Sequence, residues 1–528
     1  MTALVYKKIT DYVNHFAQKT PHQTALVFDG ERINYAQLQD LVITCSKALL
    51  ASGVKKGDRV AMLCSPCTEF YVSFLATANI GAIWVGLNPK YSLNEFRHAI
   101  EDAKPKILIA MARISDRDYQ QELKTLNNEN DFLKSLVLIN FLMEDTQDYE
   151  TFLAKNSEIS AEVYFEAIDN VSRLDPALIV YTSGSTGKPK GAVLSHYGLS
   201  FGASVQSQHF NVQDPSIICN MPINHVASVA DICCTTLVVG GTIYFQESFD
   251  ASLMLKTITQ EKIKIWAGVP TMFLLQINQS EFESTDFSSV ELIVWGGSAM
   301  PENAIKILQK LSNRLKVLYG MTETSAHTIY TDENASLSDL RDSIGFPDKR
   351  MPCRIINEEG EKCKTGEQGE LQFKGEYLML GYFNRPEETE QAFTDDGWFH
   401  SGDLAYWRED GSVTLVGRMS EMYKSGGYNI YPREIEKLLE THPSVNTAAV
   451  ISIPDKVFQE IGVAFVSPKP GLSITELQLV EFCKGSLANY KVPKYFIILS
   501  EMPRLAIGKI DKNELKNMMK NQSVNNGI

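Results

Sequence analysis

From about residue 176 to residue 320 the chain alternates short apolar runs with helix-length amphipathic stretches, and this rhythm leaves few folds open. The runs are Ala177-Leu178-Ile179-Val180, Ile217-Ile218-Cys219, Thr242-Ile243-Tyr244-Phe245, Ile263-Lys264-Ile265-Trp266, Glu291-Leu292-Ile293-Val294-Trp295 and Leu315-Lys316-Val317-Leu318. Helices are predicted around Val229 to Val238, over Ala251 to Gln260 and over Pro301 to Leu311. Strands separated by helices return in the same direction, so the pattern predicts parallel sheets covered by helices. Residues 1 to about 170 carry the same mixture less regularly, with predicted strands at Thr24 to Phe28 and Arg59 to Leu63 and a helix from Tyr35 to Leu50. The polar stretch from Asp116 to Asn130 reads as a surface excursion. Past residue 340, Gly345, Gly360, Gly366, Gly369, Gly375 and Gly381 punctuate short strands, as expected of a small β-rich subdomain. A further unit opens at Gly417-Arg418. It reads as a helix from Pro432 to Thr441, strands at Thr447 to Ile453 and Gly462 to Val466, a helix from Thr475 to Ser486, a strand from Tyr495 to Leu499, and a basic tail.

With 528 residues, 44% of them hydrophobic, the chain can bury more than one core. A formal charge of -14 argues against a nucleic-acid partner, which needs clustered Lys and Arg. No apolar run approaches the roughly 18 residues of a spanning helix, which leaves only peripheral membrane contact open. The first residues lack the apolar core of a secretory signal and Asn525-Asn526-Gly527-Ile528 is not a peroxisomal address, so a cytoplasmic location is the expectation. Nine scattered cysteines suit reduced thiols, and the lone Cys64-Ser65-Pro66-Cys67 spacing reads as packing rather than metal binding.

Between the strand at Ala177 to Val180 and a second at Ala192 to Leu194 lies Tyr181-Thr182-Ser183-Gly184-Ser185-Thr186-Gly187-Lys188-Pro189-Lys190-Gly191. Glycines let several backbone N–H groups turn towards one anion, while Thr182, Ser183, Ser185 and Thr186 add hydroxyl donors and Lys188 and Lys190 add charge. The loop is a phosphate cradle. It is not a Walker A loop, because no Gly stands five residues before Gly187 and Pro189 follows the Lys.

Residue for residue, the loop resembles the signature of the adenylate-forming superfamily, which includes acyl-CoA synthetases and peptide-synthetase adenylation domains. Other motifs resembling that family's follow in order. Taken with the alternation, the resemblance implies an α/β fold. A large N-terminal domain (residues 1–417) would hold two helix-covered, mostly parallel sheets plus the small β-rich subdomain, followed by a small mobile α+β C-terminal domain (residues 418–528). It also implies that Thr182, Ser183, Gly184, Ser185, Thr186, Gly187 and Lys188 hold ATP phosphates. In Trp295-Gly296-Gly297-Ser298-Ala299, the last three would let adenine approach the backbone closely. In Tyr319-Gly320-Met321-Thr322-Glu323-Thr324, Tyr319, Gly320 and Met321 would line the nucleotide, Thr322 reach the α-phosphate, and Glu323, with Thr186, bind Mg²⁺. Asp403 in Trp398-Phe399-His400-Ser401-Gly402-Asp403 matches a ribose ligand, and Arg418 a ribose or phosphate contact.

At the acid end, His225 in Met221-Pro222-Ile223-Asn224-His225 matches a carboxylate-orienting position. Val226 and Ala227 stand where amino-acid-activating relatives carry an Asp, which disfavours an ammonium-bearing α-amino acid. The small residues Val226, Ala227, Ser228 and Ala230 are expected to leave room for an acyl or aryl group, with Trp295 and Phe273 as walls; Asp231, if it faces the pocket, would oppose a second carboxylate. In Lys424-Ser425-Gly426-Gly427-Tyr428-Asn429, Lys424, Gly426, Gly427 and Asn429 would border the pantetheine of CoA. In Pro503-Arg504-Leu505-Ala506-Ile507-Gly508-Lys509, Lys509 would bridge carboxylate and α-phosphate. The pattern departs from the family at Ser420, where Lys or Asp is usual at the hinge, and at Leu505, where a hydroxyl residue is usual.

The implied activity is that of an ATP-dependent acyl-CoA synthetase. Its catalytic set is Lys509, Thr322, Glu323 and His225, and it would use ATP, Mg²⁺, CoA and a small-molecule carboxylic acid, with a monocarboxylate of medium or longer chain or an aryl acid as the expectation. Loading a carrier protein's phosphopantetheine in trans, or nucleotide binding without catalysis, are the alternatives.

Overall fold

A computed structural model describes residues 5–182, 189–425, 428–504 and 509–526. Ser183, Gly184, Ser185, Thr186, Gly187, Lys188, Gly426, Gly427 and Leu505 lie outside the described residues, as does the side chain of Asn429.

The alternation becomes two large sheets. In one, the strands Leu315–Gly320, Leu292–Gly296, Ile265–Gly268, Ser216–Cys219, Thr242–Phe245 and Thr24–Phe28 lie side by side and parallel. Antiparallel strands His327–Tyr330, Phe346–Pro347 and Glu31–Asn34 close its edges. The other runs parallel through Pro176–Thr182, Ile83–Gly86, Arg59–Leu63, Ile107–Met111, Ser135–Ile139 and Gln147–Asp148. Lys190–Ser195 returns antiparallel beside Pro176–Thr182, so the phosphate loop is the connection of a hairpin. The helix Thr68–Asn79 is buried on every face from Phe70 to Asn79, and its Phe70 and Phe74 meet Trp84 in a core that draws on both sheets.

Four antiparallel strands, Cys353–Ile356, Gly369–Phe373, Phe399–Trp407 and Val413–Arg418, make the small sheet, and Asp403 faces Arg418 across its last pair. The strands Tyr423–Ser425, Tyr428–Ile430, Val445–Asp455, Gln459–Pro468 and Tyr495–Ile498 form the sheet of a separate C-terminal domain with its own apolar core around Ile435, Leu439 and Phe496.

Four expectations change. The polar stretch 116–130 contains a helix, Gln120–Glu129, whose Leu123 and Leu126 are fully buried; two leucines three apart suffice to dock one helical face. The basic tail is the helix Lys512–Asn526, anchored by buried Leu515 and by Lys512, which pairs with Glu421 and, at 2.8 Å, with Glu436. The helix after Pro301 is shorter than expected, Glu302–Leu308. The helix expected at Val229 to Val238 is a π-helix, Ala227–Cys234, followed by one α-turn, Thr235–Leu237. Among the described residues no helix is long and apolar enough to cross a membrane.

Candidate active site

Ligands of open α/β sheets bind beyond the carboxyl ends of the strands, and the motifs meet there. Gly297, Ser298 and Ala299 are exposed at the end of Leu292–Gly296, and Gly297 holds a φ of +81°. Gly320 ends the neighbouring strand where an added Cβ would lie 2.5 Å from the Ala326 carbonyl oxygen, so the turn closes only around glycine. The Tyr319 hydroxyl donates to Asp403 Oδ2 at 2.5 Å, and Arg418 Nε stands 2.6 Å from Asp403 Oδ1. Burial raises the Asp403 carboxyl above its usual range, against the pull of Arg418, Tyr319 and Lys509. The Tyr319 ring lies 6.1 Å from Phe373, inclined by 24°.

Thr322 and Glu323 are buried in a single 3-10 turn that begins after Met321, whose N–H donates to Thr324 Oγ1 at 3.0 Å. Glu323 Oε1 accepts the Tyr382 hydroxyl at 2.9 Å. Lys190, which opens the strand Lys190–Ser195, sits over the Tyr382 ring at 5.3 Å, so Tyr382 links that strand to Glu323. Thr182, half-buried, donates to the Lys190 carbonyl at 3.4 Å.

Lys509 reaches the same place from the C-terminal domain. Its Cε lies 3.4 Å from where a Cβ on Gly297 would be, and Arg504 Nη1 donates to Thr271 Oγ1 at 3.0 Å, docking the flanking segment. Burial, then the positive charge of Arg418, draw the Lys509 ammonium below its usual range, with Asp403 opposing. Lys424 is exposed on the strand Tyr423–Ser425, which pairs through Lys424 with the backbone of Asn429.

At the acid end His225 Nδ1 accepts the Ala227 N–H at 3.1 Å, so a neutral ring presents Nε2–H as a donor. Burial, then the nearby Lys509 charge, push His225 down to about 4, which keeps it neutral near pH 7. The residues expected to line the acid pocket differ in exposure. His225 and Ala227 retain accessible surface, whereas Val226, Ser228, Ala230 and Trp295 are buried. Ser228 turns to Cys219 at 3.3 Å, and Trp295 packs in the apolar cluster that also holds Phe273. Phe273 lies 5.0 Å from Trp266 and is fully buried, so it forms core rather than wall. For Ser228 and Ala230 the wider turn of the π-helix Ala227–Cys234 sets which face each side chain takes, whereas Trp295 is placed by the strand Leu292–Gly296 and Phe273 by the helix Pro270–Ile277. Three residues not singled out as site residues from the sequence, Gln206, His327 and Tyr382, join the site, together with Asp231. Gln206 Nε2 donates to the Asp231 carbonyl at 2.8 Å, and its Oε1 accepts His327 Nδ1–H at 2.7 Å.

A carboxylate and an exposed glycine turn at the strand ends, with a lysine delivered by a second domain, suit activation of an acid at phosphorus. Comparison with known proteins agrees. The model of the AMP-binding enzyme family matches residues 13–383, and that of the AMP-binding enzyme C-terminal domain matches residues 434–509. The chain belongs to the AMP-binding enzymes. This enzyme is 30% identical to the putative acyl-CoA synthetase YngI of Bacillus subtilis (strain 168), over 98% of each chain. It is 31% identical to a feruloyl-CoA synthase of Amycolatopsis sp, over 95% of this chain and 96% of the relative. Among solved structures, ATP-bound MatB from Rhodopseudomonas palustris superposes with a TM-score of 0.82 at 27% identity, over 96% of this chain and 99% of that one. Within the family the enzyme stands with the AMP-forming acyl-CoA ligases.

Proposed function

We propose that this ligase activates a carboxylic acid, an aryl acid or a fatty acid of medium or longer chain, as acyl-AMP with release of pyrophosphate, and then passes the acyl group to CoA. The observation that carries the reading is the position of Lys509 against Gly297, within the field of the Arg418–Asp403 pair.

In the first step the acid's carboxylate attacks the α-phosphorus of ATP and pyrophosphate leaves. Lys509 and Thr322 would neutralise the charge that gathers on the transferring phosphate, and a fixed cation in a site screened from water does this far better than solvent. His225 would hold the incoming carboxylate through its Nε2–H. Asp403, with Arg418 and Tyr319 already fastened to it, would take the ribose. Glu323 fits Mg²⁺, a hard cation that uses one or two carboxylates together with substrate phosphates, because Tyr382 engages only Oε1. Bound there, Mg²⁺ would offset phosphate charge. Residues 183–188 would grip the β- and γ-phosphates.

Residues 1–417 and 418–528 are proposed to act as two bodies. Turning the smaller about the residues near Arg418 and Ser420 would withdraw Lys509 and admit the Gly426-Gly427 hairpin, with Lys424 and Asn429 beside it, for attack by the CoA thiolate on the acyl carbon. The deciding experiment measures pyrophosphate and AMP release across a panel of carboxylic acids, with CoA, with a phosphopantetheinylated carrier protein, and with neither. AMP release coupled to CoA consumption is expected. Turnover with the carrier alone, or none with any acid, would refute it.

A further inference from the structure

The π-helix that follows His225 carries a carboxylate into the acid end of the cleft for which the ligation chemistry has no use. Asp231 and His327 keep 11% and 15% of their side-chain exposure, and Asp231 Oδ1 lies 3.3 Å from His327 Nδ1. Yet Asp231 Oδ1 makes no hydrogen bond with any described protein group. Gln206 explains this. It uses both ends of its amide, donating to the Asp231 carbonyl and accepting from His327 Nδ1–H, so the proton closest to the carboxylate is committed elsewhere. The opposite nitrogen, His327 Nε2, lies 3.3 Å from where a Cβ on Gly296 would stand, one residue from the Gly297 ledge that Lys509 covers. Asp231 thus adjoins His327, and His327 and Lys509 close on the consecutive residues Gly296 and Gly297; of the three side chains only Asp231 is an acid.

Leaving a buried acceptor without a donor costs about 1–3 kcal/mol, and more when it is charged. A plain hydrocarbon tail laid over the part of the Asp231 side chain that stays exposed would strip water from a carboxylate already short of donors. A second carboxylate would add repulsion. A hydroxyl or amino group on the substrate would replace that water with a donor.

We propose that Asp231, positioned by Gln206 and flanked by His327, is a specificity-determining residue, and that the acid activated here is a monocarboxylate whose carbon skeleton carries a hydroxyl or amino hydrogen-bond donor. This rests on the reading of the cleft as an acyl-CoA ligase site. The donor of the substrate pairs with the Asp231 carboxylate while its own carboxylate meets His225 Nε2–H and Lys509, so the acid is held at both ends.

The test uses the whole enzyme with ATP and CoA and compares matched twins, identical skeletons with and without the donor: benzoate and its hydroxy and amino derivatives, cinnamate and 4-hydroxycinnamate, hexanoate and its hydroxy derivative. In the best skeleton the donor-bearing acid is expected to exceed its twin at least tenfold in kcat/KM, with most of the gain in KM. Asp231→Ala should bring that ratio close to one, and Asp231→Asn, which keeps an acceptor, should restore part of it. Twins of equal kcat/KM in the unmodified enzyme, or a ratio that survives Asp231→Ala, would overturn the assignment. Should Asp231→Ala fold poorly, as a melting curve would reveal, the unmodified twins and Asp231→Asn decide alone. Failure of every acid to release pyrophosphate would instead count against the ligase reading itself.

Discussion

At the expected nucleotide end of the cleft the carboxylates of Asp403 and Glu323 already hold protein partners, whereas at the acid end the Asp231 carboxylate holds fewer. Asp403 has one oxygen on Tyr319 and the other on Arg418, and Glu323 is held by Tyr382. Across the cleft, Asp231 Oδ1 and Asn224 Oδ1 are buried without a hydrogen-bonding protein partner among the described residues, and His225 offers a free Nε2–H. The first arrangement suits a ligand that never changes, because groups fixed in advance lose little on binding. The second leaves the partly exposed side chains of His225 and Asp231 for a ligand to meet. One site can thus keep its chemistry constant and leave its choice of acid to a few unsatisfied atoms.

The widest break in that comparison comes from Lys509, which serves both ends. Lys509→Ala should lower pyrophosphate release by about 10²–10³-fold, the usual loss for a charge-stabilising donor. Supplied acyl-AMP and CoA should still yield thioester at near the normal rate, as followed by chromatography of the CoA product. Loss of both half-reactions together would mean that the C-terminal domain does not change position between them.

Next in size, Asp403→Asn should raise the KM for ATP roughly tenfold or more and leave the KM for the acid within about twofold, since a hydrogen bond to a charged group contributes about 1.5–3 kcal/mol. Thermal melting should also fall. The Arg418 side chain is 48% exposed, so this loss stays well below the roughly 3–5 kcal/mol of a fully buried broken pair. Equal changes in the two KM values would erase the distinction between the ends.

Tyr382→Phe removes one hydroxyl from Glu323 and should cost about threefold to tenfold in pyrophosphate release, with a higher Mg²⁺ requirement, read by titrating the metal. The smallest effect is the pH response of His225. Its folded value of about 4 lies below the ordinary 6.5, so between those two pH values the unfolded chain binds the extra proton. The stability contributed by the neutral ring is whole above pH 6.5 and drains away as pH falls towards 4. Urea midpoints should therefore fall less over that window in His225→Gln than in the parent. Above pH 6.5 pyrophosphate release should show no ionisation from this ring.

The parallel sheets were legible because alternation of apolar strands with helices admits little else, and the family because its motifs keep their order in one dimension. That Asp403 and Arg418 would face each other was not legible: it depends on the register of the pair Phe399–Trp407 and Val413–Arg418, including its bulge. Tyr382 and Gln206 come from segments far from the atoms they bond, and no local pattern announces them. The helical type of the segment after His225 was not legible for a different reason. A helix was expected there, and the apolar run from Val226 to Cys234 fits several helical periods, so the faces taken by Ser228, Ala230 and Asp231 could not be read without the i to i+5 closure.

That closure has a bearing on descent. Each ring of a π-helix spans one residue more than an α-helical ring, so losing a single residue from Ala227–Cys234 lets the backbone reclose in the commoner form. His225, whose N–H is tied to the Pro222 carbonyl, would keep its post, while everything beyond it would swing around the axis and carry Asp231 away from His327. Were Asp231 to select the acid as proposed, a one-codon deletion there would change that choice and leave Tyr319, Asp403 and Arg418 in place.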